Sequence, residues 1–261
     1  MDKNSAFLKQ IDFTGKTALV TGASRGIGEA IALSLASLGA EVILVSRKLE
    51  GLTAVEKKIT ASGGKATSIP CNTGNMNEID NLFSQIRGKY EKIDILVNNS
   101  ATNPFFGNNL DATESAWDKT FSVNLKGYFF ITQHAAKIMK EKGMGGSIVN
   151  IGSVNGIRPT PMQGMYSITK AGVISMTQSF AKELAPFKIR VNAVLPGMTD
   201  TKFSSVMTQN PELLNKFILP SIPMGRIAQP DEISGAVIYL VSDAASYTTG
   251  SCITVDGGIL A

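Results

Sequence analysis

Short apolar runs alternate with helix-like patterns along the chain. Seven runs rich in Val, Ile and Leu predict β-strands, at residues 16–21, 41–46, 66–71, 93–98, 147–152, 189–195 and 253–255. Apolar positions that recur with the helical period predict five helices, at residues 28–38, 51–62, 76–90, 113–142 and 165–185. The strands are apolar at consecutive positions, as expected of strands covered on both faces of a sheet.

The order of these elements predicts the fold. Alternation of strands and helices is typical of βαβ units, which build a parallel sheet. With right-handed crossovers, the pattern predicts one α/β domain over residues 1–261. We expect a doubly wound parallel sheet of the Rossmann type, with helices on both faces.

One long segment departs from this alternation. Residues 196–230 show no strand pattern and contain Pro211, Pro220 and Pro223. A connection of this length is usually functional or mobile. We predict a substrate lid at about residues 198–224, with the apolar side chains Phe203, Met207, Leu213, Leu214, Phe217 and Ile218.

The composition excludes several classes of protein. Hydrophobic residues make up 43% of the chain and charged residues 18%, which excludes a disordered chain. Two cysteines, Cys71 and Cys252, are too few for a disulfide scaffold. With His134 as the one histidine, most zinc sites and the His-dependent hydrolase triads are excluded, so no metal is expected.

The charge pattern favours a small-molecule partner. Lys and Arg number 25 against 21 Asp and Glu, a net charge of +4, and no run of like charges marks a nucleic-acid-binding arm. No apolar stretch approaches the about 20 residues that cross a bilayer, and no apolar leader follows Met1. We therefore expect a cytoplasmic protein that binds neither nucleic acid nor membrane.

A glycine-rich turn joins the first predicted strand to the first predicted helix. In residues 21–28 the spacing of Gly22, Gly26 and Gly28 is G-x3-G-x-G. Glycines let a phosphate approach the backbone, and the unpaired N–H groups of a helix start attract it. A turn without a ligand is the alternative, but the strand before it and the helix after it favour a dinucleotide site.

Basic residues follow the second predicted strand. An Asp or Glu at its end would accept hydrogen bonds from the ribose 2′-hydroxyl of NAD, whereas this strand ends in Ser46, Arg47 and Lys48. Together with Arg25, these side chains suit a 2′-phosphate. The pattern favours NADP(H) over NAD(H), and a solvated basic helix start is the alternative.

A hydroxyl–lysine group follows the fifth predicted strand. Tyr166 and Lys170 lie four residues apart on one helix face, and Ser153 comes just after the strand. Beside a nicotinamide, Tyr166 would exchange the proton of a carbonyl or alcohol oxygen and Ser153 would hold that oxygen. We expect the Lys170 ammonium to supply part of a shift of the Tyr166 pKa from about 10 toward neutrality, and the positive charge of an oxidised nicotinamide to add to it. The combination predicts hydride transfer between the coenzyme and a carbonyl or secondary alcohol.

With these motifs the chain resembles the short-chain dehydrogenase/reductase family, from about Thr14 to Gly258. The sequence Asn98-Asn99-Ser100-Ala101 is similar to the family's Asn-Asn-Ala-Gly segment, and Asp256-Gly257-Gly258 to its C-terminal signature. The resemblance implies a catalytic tetrad of Asn124, Ser153, Tyr166 and Lys170, in which Asn124 helps to hold a water that links Lys170 to solvent.

The resemblance also implies a set of coenzyme contacts. They are Gly22, Ser24, Arg25, Gly26, Ile27, Gly28, Ser46, Arg47, Lys48, Asn72, Thr73, Asn98, Ser100, Ala101, Tyr166, Lys170, Pro196, Gly197 and Thr199. Two positions depart from the family pattern: Ser100-Ala101 replaces Ala-Gly, and Asn72 replaces an Asp that commonly contacts the adenine. Residues 103–107, with Ser46–Lys48, resemble the NADP-dependent carbonyl and retinol reductases of the family.

The sequence gives less information about the substrate and the oligomeric state. Phe105 and Phe106 are expected to contact the substrate beside Ser153 and Tyr166, with packing into the core as the equal alternative, and a hydrophobic ketone or aldehyde fits such walls. One alternative function is a 3-oxoacyl-[acyl-carrier-protein] reductase, for which Lys137, Lys140, Lys182 and Lys188 are candidate docking residues. The other is a non-enzymatic dinucleotide-binding scaffold.

The predicted helix 165–185 bears on assembly. Beyond Tyr166 and Lys170 it carries Val173, Ile174, Met176 and Phe180, more apolar positions than one inward face requires. A subunit interface would cover them, and the family resemblance implies a homotetramer or a homodimer through this helix.

Overall fold

A seven-stranded parallel sheet organises the chain. The computed structural model describes residues 3–208 and 210–261, without the side chains of 3–5, 7, 206, 207 and 213. The strands are β1 Thr17–Thr21, β2 Glu41–Ser46, β3 Lys65–Pro70, β4 Ile95–Asn98, β5 Gly146–Ile151, β6 Ile189–Pro196 and β7 Cys252–Val255. Their order is β3-β2-β1-β4-β5-β6-β7 and every pairing is parallel. The predicted fold class is confirmed.

Helices cover both faces of this sheet. The described helices of eight or more residues are α1 Lys3–Gln10, α2 Gly26–Ser37, α3 Leu49–Ala61, α4 Met76–Lys89, α5 Glu114–Phe121, α6 Gly127–Lys142, α7 Gly164–Leu184 and α8 Pro230–Val241. The single helix predicted over 113–142 is interrupted by a π-helical turn, Ser122–Lys126. The sequence pattern assigned no helix at α8, where Gly235 lowers the helical propensity, although Pro230 stands in the first turn, a position that suits proline.

Helix α8 forms because tertiary packing outweighs that propensity. Gln229 and Glu232 close a capping box at its start. Ile233, Val237 and Leu240 recur on one face and are fully buried. Helix α8 thus covers the same sheet face as α2 and α3.

The core has two parts, one on each face of the sheet. One part joins the sheet to α4, α6 and α7 through side chains such as Phe83, Tyr128 and Val173. The other joins it to α2, α3 and α8 through side chains such as Leu35, Leu52 and Val237. Two-sided burial explains why β1 is buried at all five positions.

The strand order places a crevice between β1 and β4. From β1 the chain winds outward through β2 and β3, and from β4 it winds the other way through β5 to β7. Ligands of doubly wound sheets bind at the carboxyl ends of the strands, where the winding reverses. The predicted lid lies beside this crevice, in short helical turns between β6 and α8. Gln209 and the side chains of Met207 and Leu213, which belong to that lid, lie outside the described residues.

Two further findings concern the described part of the chain. None of its helices has the length and apolar character needed to cross a membrane. Within residues 3–208 and 210–261, no three His, Cys, Asp or Glu side chains come together in a way that would hold a metal ion.

Candidate active site

A cavity of about 1160 Å³ opens at the carboxyl ends of the strands. It is larger than the about 300–1000 Å³ usual for small-ligand pockets, so it has room for a dinucleotide and a substrate. Eighteen of the predicted site residues line it: Gly22, Ser24, Arg25, Gly26, Ile27, Ser46, Arg47, Lys48, Asn72, Thr73, Ser100, Ala101, Ser153, Tyr166, Lys170, Pro196, Gly197 and Thr199.

The glycine turn between β1 and α2 is shaped for close approach. Gly22 has a φ of 66°, and a Cβ there would lie 2.7 Å from Asn99 Nδ2. A Cβ on Gly28 would lie 2.3 Å from the carbonyl oxygen of Gly22, so Gly28 lies beneath the turn and does not line the cavity. Arg25, at the N-cap of α2, makes no capping hydrogen bond with its side chain. The first N–H groups of α2 are therefore suited to a phosphate.

Asn99 holds this turn against β4. Its Nδ2 donates to the carbonyl oxygens of Thr21 and Gly22, each at 3.2 Å. Its backbone N–H donates to Thr21 Oγ1 at 2.9 Å. Asn99 lines the cavity, whereas Asn98, a predicted coenzyme contact, is fully buried and donates to Thr132 Oγ1 and Asn150 Oδ1. The assignment of Asn98 is corrected: alternate strand residues face opposite sides, and Asn98 faces the core.

Basic side chains mark one end of the cavity. Arg25, Arg47 and Lys48 are exposed and line it together with Ser46, whose Oγ donates to the Lys48 carbonyl at 3.3 Å. Glu50, in the first turn of α3, lines the same end. No carboxylate was expected in this region from the sequence. Three cations against one carboxylate still leave this end positive.

Ser153, Tyr166 and Lys170 come together through one tight packing contact. Ser153 follows β5 and caps a short turn, Val154–Gly156, accepting a hydrogen bond from Asn155 N at 3.2 Å. This turn lies directly on α7, since a Cβ on Gly156 would fall 2.8 Å from the Lys170 carbonyl carbon. The contact brings the Ser153 hydroxyl into hydrogen-bonding reach of the Tyr166 phenol.

Lys170 lies under the phenol in a buried position. Its Nζ donates to the carbonyl oxygen of Ile151 at 2.7 Å and lies 5.6 Å from the Tyr166 ring centroid. Tyr128 also reaches the Ile151 carbonyl, at 3.3 Å, and its ring centroid lies 5.3 Å from Lys170 Nζ. Lys170 is therefore a buried cation held by a carbonyl and two aromatic rings.

Burial shifts the pKa values of Tyr166 and Lys170 in the directions that disfavour their charged forms. It raises the pKa of Tyr166 to about 12, although the hydrogen bond with Ser153 opposes the rise. It lowers the pKa of Lys170 to about 7. In the chain alone the pKa of Tyr166 therefore lies above the usual value of a phenol, because burial disfavours the phenolate. The decrease expected from Lys170 together with an oxidised nicotinamide stays a prediction.

The low pKa of Lys170 predicts a pH-dependent gain in stability from Lys170→Met. Below about pH 7 the side chain is charged in both folded and unfolded chains, so its whole desolvation cost opposes folding. Between about 7 and 10.5 only the unfolded chain keeps the proton, so this cost falls as the pH rises. The free energy of unfolding of Lys170→Met minus that of wild type should therefore shrink by about 2 kcal/mol between about pH 6.5 and about pH 9. Denaturant titrations would measure it, with the exposed Lys65→Met as control. A difference that does not change with pH would contradict the buried charge.

Asn124 lies in the π-helical turn and does not line the cavity. Its Oδ1 accepts from Thr102 N at 2.8 Å, and its Nδ2 donates to the Thr102 carbonyl at 2.9 Å and to Thr169 Oγ1 at 3.3 Å. The side chain thus joins the loop after β4 to α7. Its fully buried amide is engaged by protein groups, and its place is that of a positioning residue.

The predicted aromatic contacts with the substrate are corrected. Phe105 and Phe106 do not line the cavity, and the Phe105 ring packs over Gly107. The loop after β4 is hydrogen-bonded to the segment before α7, where Gly107 N donates to the Met162 carbonyl at 3.0 Å. Two rings of the predicted lid, Phe203 and Phe217, line the cavity instead, and the Phe203 centroid lies 5.6 Å from that of Tyr166.

Several residues that line the cavity were not predicted from the sequence. They are Glu50, Asn99, Lys119, Arg158, Ile259 and Leu260. Asn99 was within the quoted motif, and Glu50 was detectable as an acid in the first turn after the basic residues. The C-terminal residues carried no local signal, because only tertiary folding brings them to the cavity.

The residues present fit a nicotinamide dinucleotide. The turn has no side chain where a Cβ would collide, the free helix start suits a pyrophosphate, and the basic end suits a further phosphate. The same cavity is lined by Ser153, Tyr166 and Lys170, which carry a hydroxyl, a phenol and an amine.

Comparisons with known proteins agree with this geometry. The family model described as Enoyl-(Acyl carrier protein) reductase matches residues 22–260. The mouse protein "Dehydrogenase/reductase SDR family member 4" is 37% identical over 98% of this chain and 91% of its own length. The Thermotoga maritima "3-oxoacyl-[acyl-carrier-protein] reductase FabG" is 40% identical over 94% of this chain and 98% of its own length.

Solved structures are similarly close. A short-chain type dehydrogenase/reductase from Mycobacterium marinum superposes with a TM-score of 0.92 at 35% identity, covering 97% of this chain and 98% of that one. A putative 2-deoxy-d-gluconate 3-dehydrogenase from Agrobacterium tumefaciens with bound NADP has a TM-score of 0.89 at 35% identity, covering 96% and 98%. With matches of this identity and extent, the chain belongs to the short-chain dehydrogenase/reductase family of oxidoreductases.

Proposed function

We propose that the protein is an NADP(H)-dependent carbonyl reductase that also runs in reverse as an alcohol dehydrogenase. One observation carries the proposal. A single cavity joins the glycine turn and basic end, suited to the coenzyme, with buried Ser153, Tyr166 and Lys170, suited to a carbonyl oxygen.

The side chains of the protein transfer one proton in the reaction. When bound, the nicotinamide supplies or accepts the hydride. In reduction, Ser153 donates a hydrogen bond to the carbonyl oxygen, and Tyr166 transfers its phenolic proton to the same oxygen. Because the pKa of Tyr166 is about 12, the phenol holds this proton at neutral pH, as reduction requires.

Lys170 acts on the phenol from below. Its charge stabilises the phenolate that remains after the proton leaves, since its Nζ faces the Tyr166 ring. Asn124 supports this arrangement by joining the Thr102 backbone to Thr169, the neighbour of Lys170. We assign to it the holding of the water through which Lys170 reaches solvent, as the family resemblance implies.

The preference for NADP(H) rests on charge. Arg25, Arg47 and Lys48 surround one end of the cavity, and Glu50 opposes them with a single negative charge. A 2′-phosphate adds negative charge there, whereas a ribose hydroxyl adds none.

The test of the function is oxidation of NADPH by a panel of aldehydes and ketones, followed at the coenzyme absorbance. The panel includes a β-ketoacyl thioester, because the Thermotoga maritima relative carries the name of a 3-oxoacyl carrier-protein reductase. Turnover of simple carbonyls above that of the thioester is expected. Turnover of the thioester alone would establish the alternative, and coenzyme binding without any turnover would favour a scaffold.

Residues between 198 and 224 serve, in this proposal, as a lid. Met198, Lys202, Phe203, Phe217 and Ile218 of this segment line the cavity. Ser204 Oγ, at the start of the lid, donates to the Thr199 carbonyl at 2.6 Å. The lid is thereby anchored at its β6 end.

We also propose a homotetramer or a homodimer, although part of the sequence argument for it fails. Val173, Met176 and Phe180 are buried inside the subunit, so they need no partner. Support comes instead from other side chains on α5, α6 and α7, since Trp117 and Phe129 are each 42% exposed and Ile168 is 51% exposed. Light scattering at micromolar concentration is expected to give a multiple of 27.7 kDa, and a monomer mass would contradict an assembly.

A further inference from the structure

Arg158 occupies the substrate end of the cavity. It comes five residues after Ser153 and lines the same cavity as Ser153 and Tyr166. Its backbone N–H donates to the Val154 carbonyl at 2.9 Å, which continues the turn that Ser153 caps. The Arg158 backbone is thus placed by the same turn that Ser153 caps.

The charge of Arg158 lacks an ionic partner in the described part of the chain. Its Nη1 donates to the neutral carbonyl oxygen of Ile259 at 3.3 Å, and none of the described carboxylates forms an ion pair with it. Glu50 is the one carboxylate among the described lining residues, and it lies at the coenzyme end beside Arg47. A guanidinium has five donors, so most of its hydrogen-bonding capacity is available to a ligand.

The walls beside Arg158 are apolar and ordered. Ile259 and Leu260 line the cavity opposite the lid rings Phe203 and Phe217. Asp256 fixes this C-terminal wall, because its two carboxylate oxygens accept from Gly258 N and Leu260 N, both at 2.9 Å. A substrate in this space would contact Ser153 and Tyr166 with its oxygen, apolar side chains along its length, and the charge of Arg158.

We propose that Arg158 recognises a carboxylate at the end of the substrate remote from the reacting carbonyl. The inference rests on the proposed function and narrows it to oxo acids with an apolar segment between the two groups. It modifies the expectation of a purely hydrophobic ketone or aldehyde. Arg158 is exposed, and a carboxylate matches its planar fork, which holds such a group through two parallel N–H···O hydrogen bonds.

The experiment compares aliphatic oxo acids of increasing chain length with their methyl esters, under saturating NADPH. For wild type, kcat/KM for the best acid should exceed that for its ester by about tenfold, as expected of a charge-assisted hydrogen bond. Arg158→Gln should abolish this preference mainly through the KM of the acid. Arg158→Lys should keep part of it, and added salt should reduce it in wild type.

Matched variants separate Arg158 from general charge effects. Arg87→Gln removes a guanidinium paired with Glu141 outside this cavity, and the acid preference should persist. Lys202→Gln removes the other cation near the lid rings. If Lys202→Gln, and not Arg158→Gln, abolishes the preference, the assignment to Arg158 is wrong.

Two further results would overturn the proposal. An equal loss for acid and ester in Arg158→Gln would show that Arg158 only holds the Ile259 wall. Equal kcat/KM for acids and esters in wild type would show that no carboxylate is recognised. The methyl esters distinguish a failure of this proposal from a failure of the proposed function. If the oxo group of the esters is reduced and the acids are not preferred, the carbonyl reductase function stands without carboxylate recognition. If no carbonyl compound is turned over, the proposed function itself is wrong.

Discussion

Replacing Tyr166 by Phe is expected to lower kcat for carbonyl reduction by about a hundredfold to ten-thousandfold, the usual contribution of a positioned general acid. The change removes only the phenolic oxygen from a side chain that is 8% exposed, so the packing of α7 is retained. Coenzyme affinity, measured by quenching of protein fluorescence, should stay within about threefold of wild type, because the basic end is untouched.

Tyr128→Phe provides a matched control. Tyr128 is also a buried phenol that faces Lys170, but it does not line the cavity. Loss of its 3.3 Å hydrogen bond to Ile151 should lower kcat by less than about tenfold. A drop of less than tenfold in Tyr166→Phe, with binding retained, would remove Tyr166 from the acid–base role.

A double substitution, Arg25→Ala with Arg47→Ala, is expected to raise the Kd for NADPH by about a hundredfold. Each lost charge-assisted hydrogen bond to a phosphate costs about 1.5 kcal/mol or more, which is about tenfold in affinity. The Kd for NADH should change by only a fewfold, since NADH lacks the 2′-phosphate. Titrations of both coenzymes against both proteins measure the ratio directly.

Glu50→Gln tests the same preference for NADP(H), but here the affinity for NADPH is expected to increase. Among the described residues it removes the one carboxylate that lines the cavity, so NADPH affinity should rise while NADH affinity changes little. Equal wild-type affinity for the two coenzymes, or parallel losses for both in the double variant, would contradict the preference for NADP(H).

Much of the chemistry was predictable because it depends on local sequence. A strand, a glycine turn and a helix in succession are a local signal for a phosphate site, since glycine conformations and free helix N–H groups are local properties. Tyr166 and Lys170 share a helix face by their spacing alone. Ser153 joins them because it follows a strand whose carboxyl end lies at the ligand edge of the sheet.

Other features required the packed structure. Asn98 and Asn99 are chemically identical neighbours, and only the sheet decides that Asn99 faces the cavity while Asn98 bonds within the core. Phe105 and Phe106 were plausible walls by sequence, and only the packed loop places both rings outside the set of residues that line the cavity. The direction of the pKa shift of Tyr166 depends on how much water burial removes, and sequence spacing does not give that quantity.

The sequence by itself therefore determined the doubly wound fold, the coenzyme turn and the hydroxyl–lysine pair, because each follows from short-range periodicity and spacing. Tertiary structure alone decided which residues line the part of the cavity that we propose for the substrate, where Arg158 meets Ile259 across 101 residues of chain. It also decided that Val173, Met176 and Phe180 belong to the subunit core. Such contacts join distant segments, and their geometry is set by the packing of the whole sheet and its helices rather than by any local pattern.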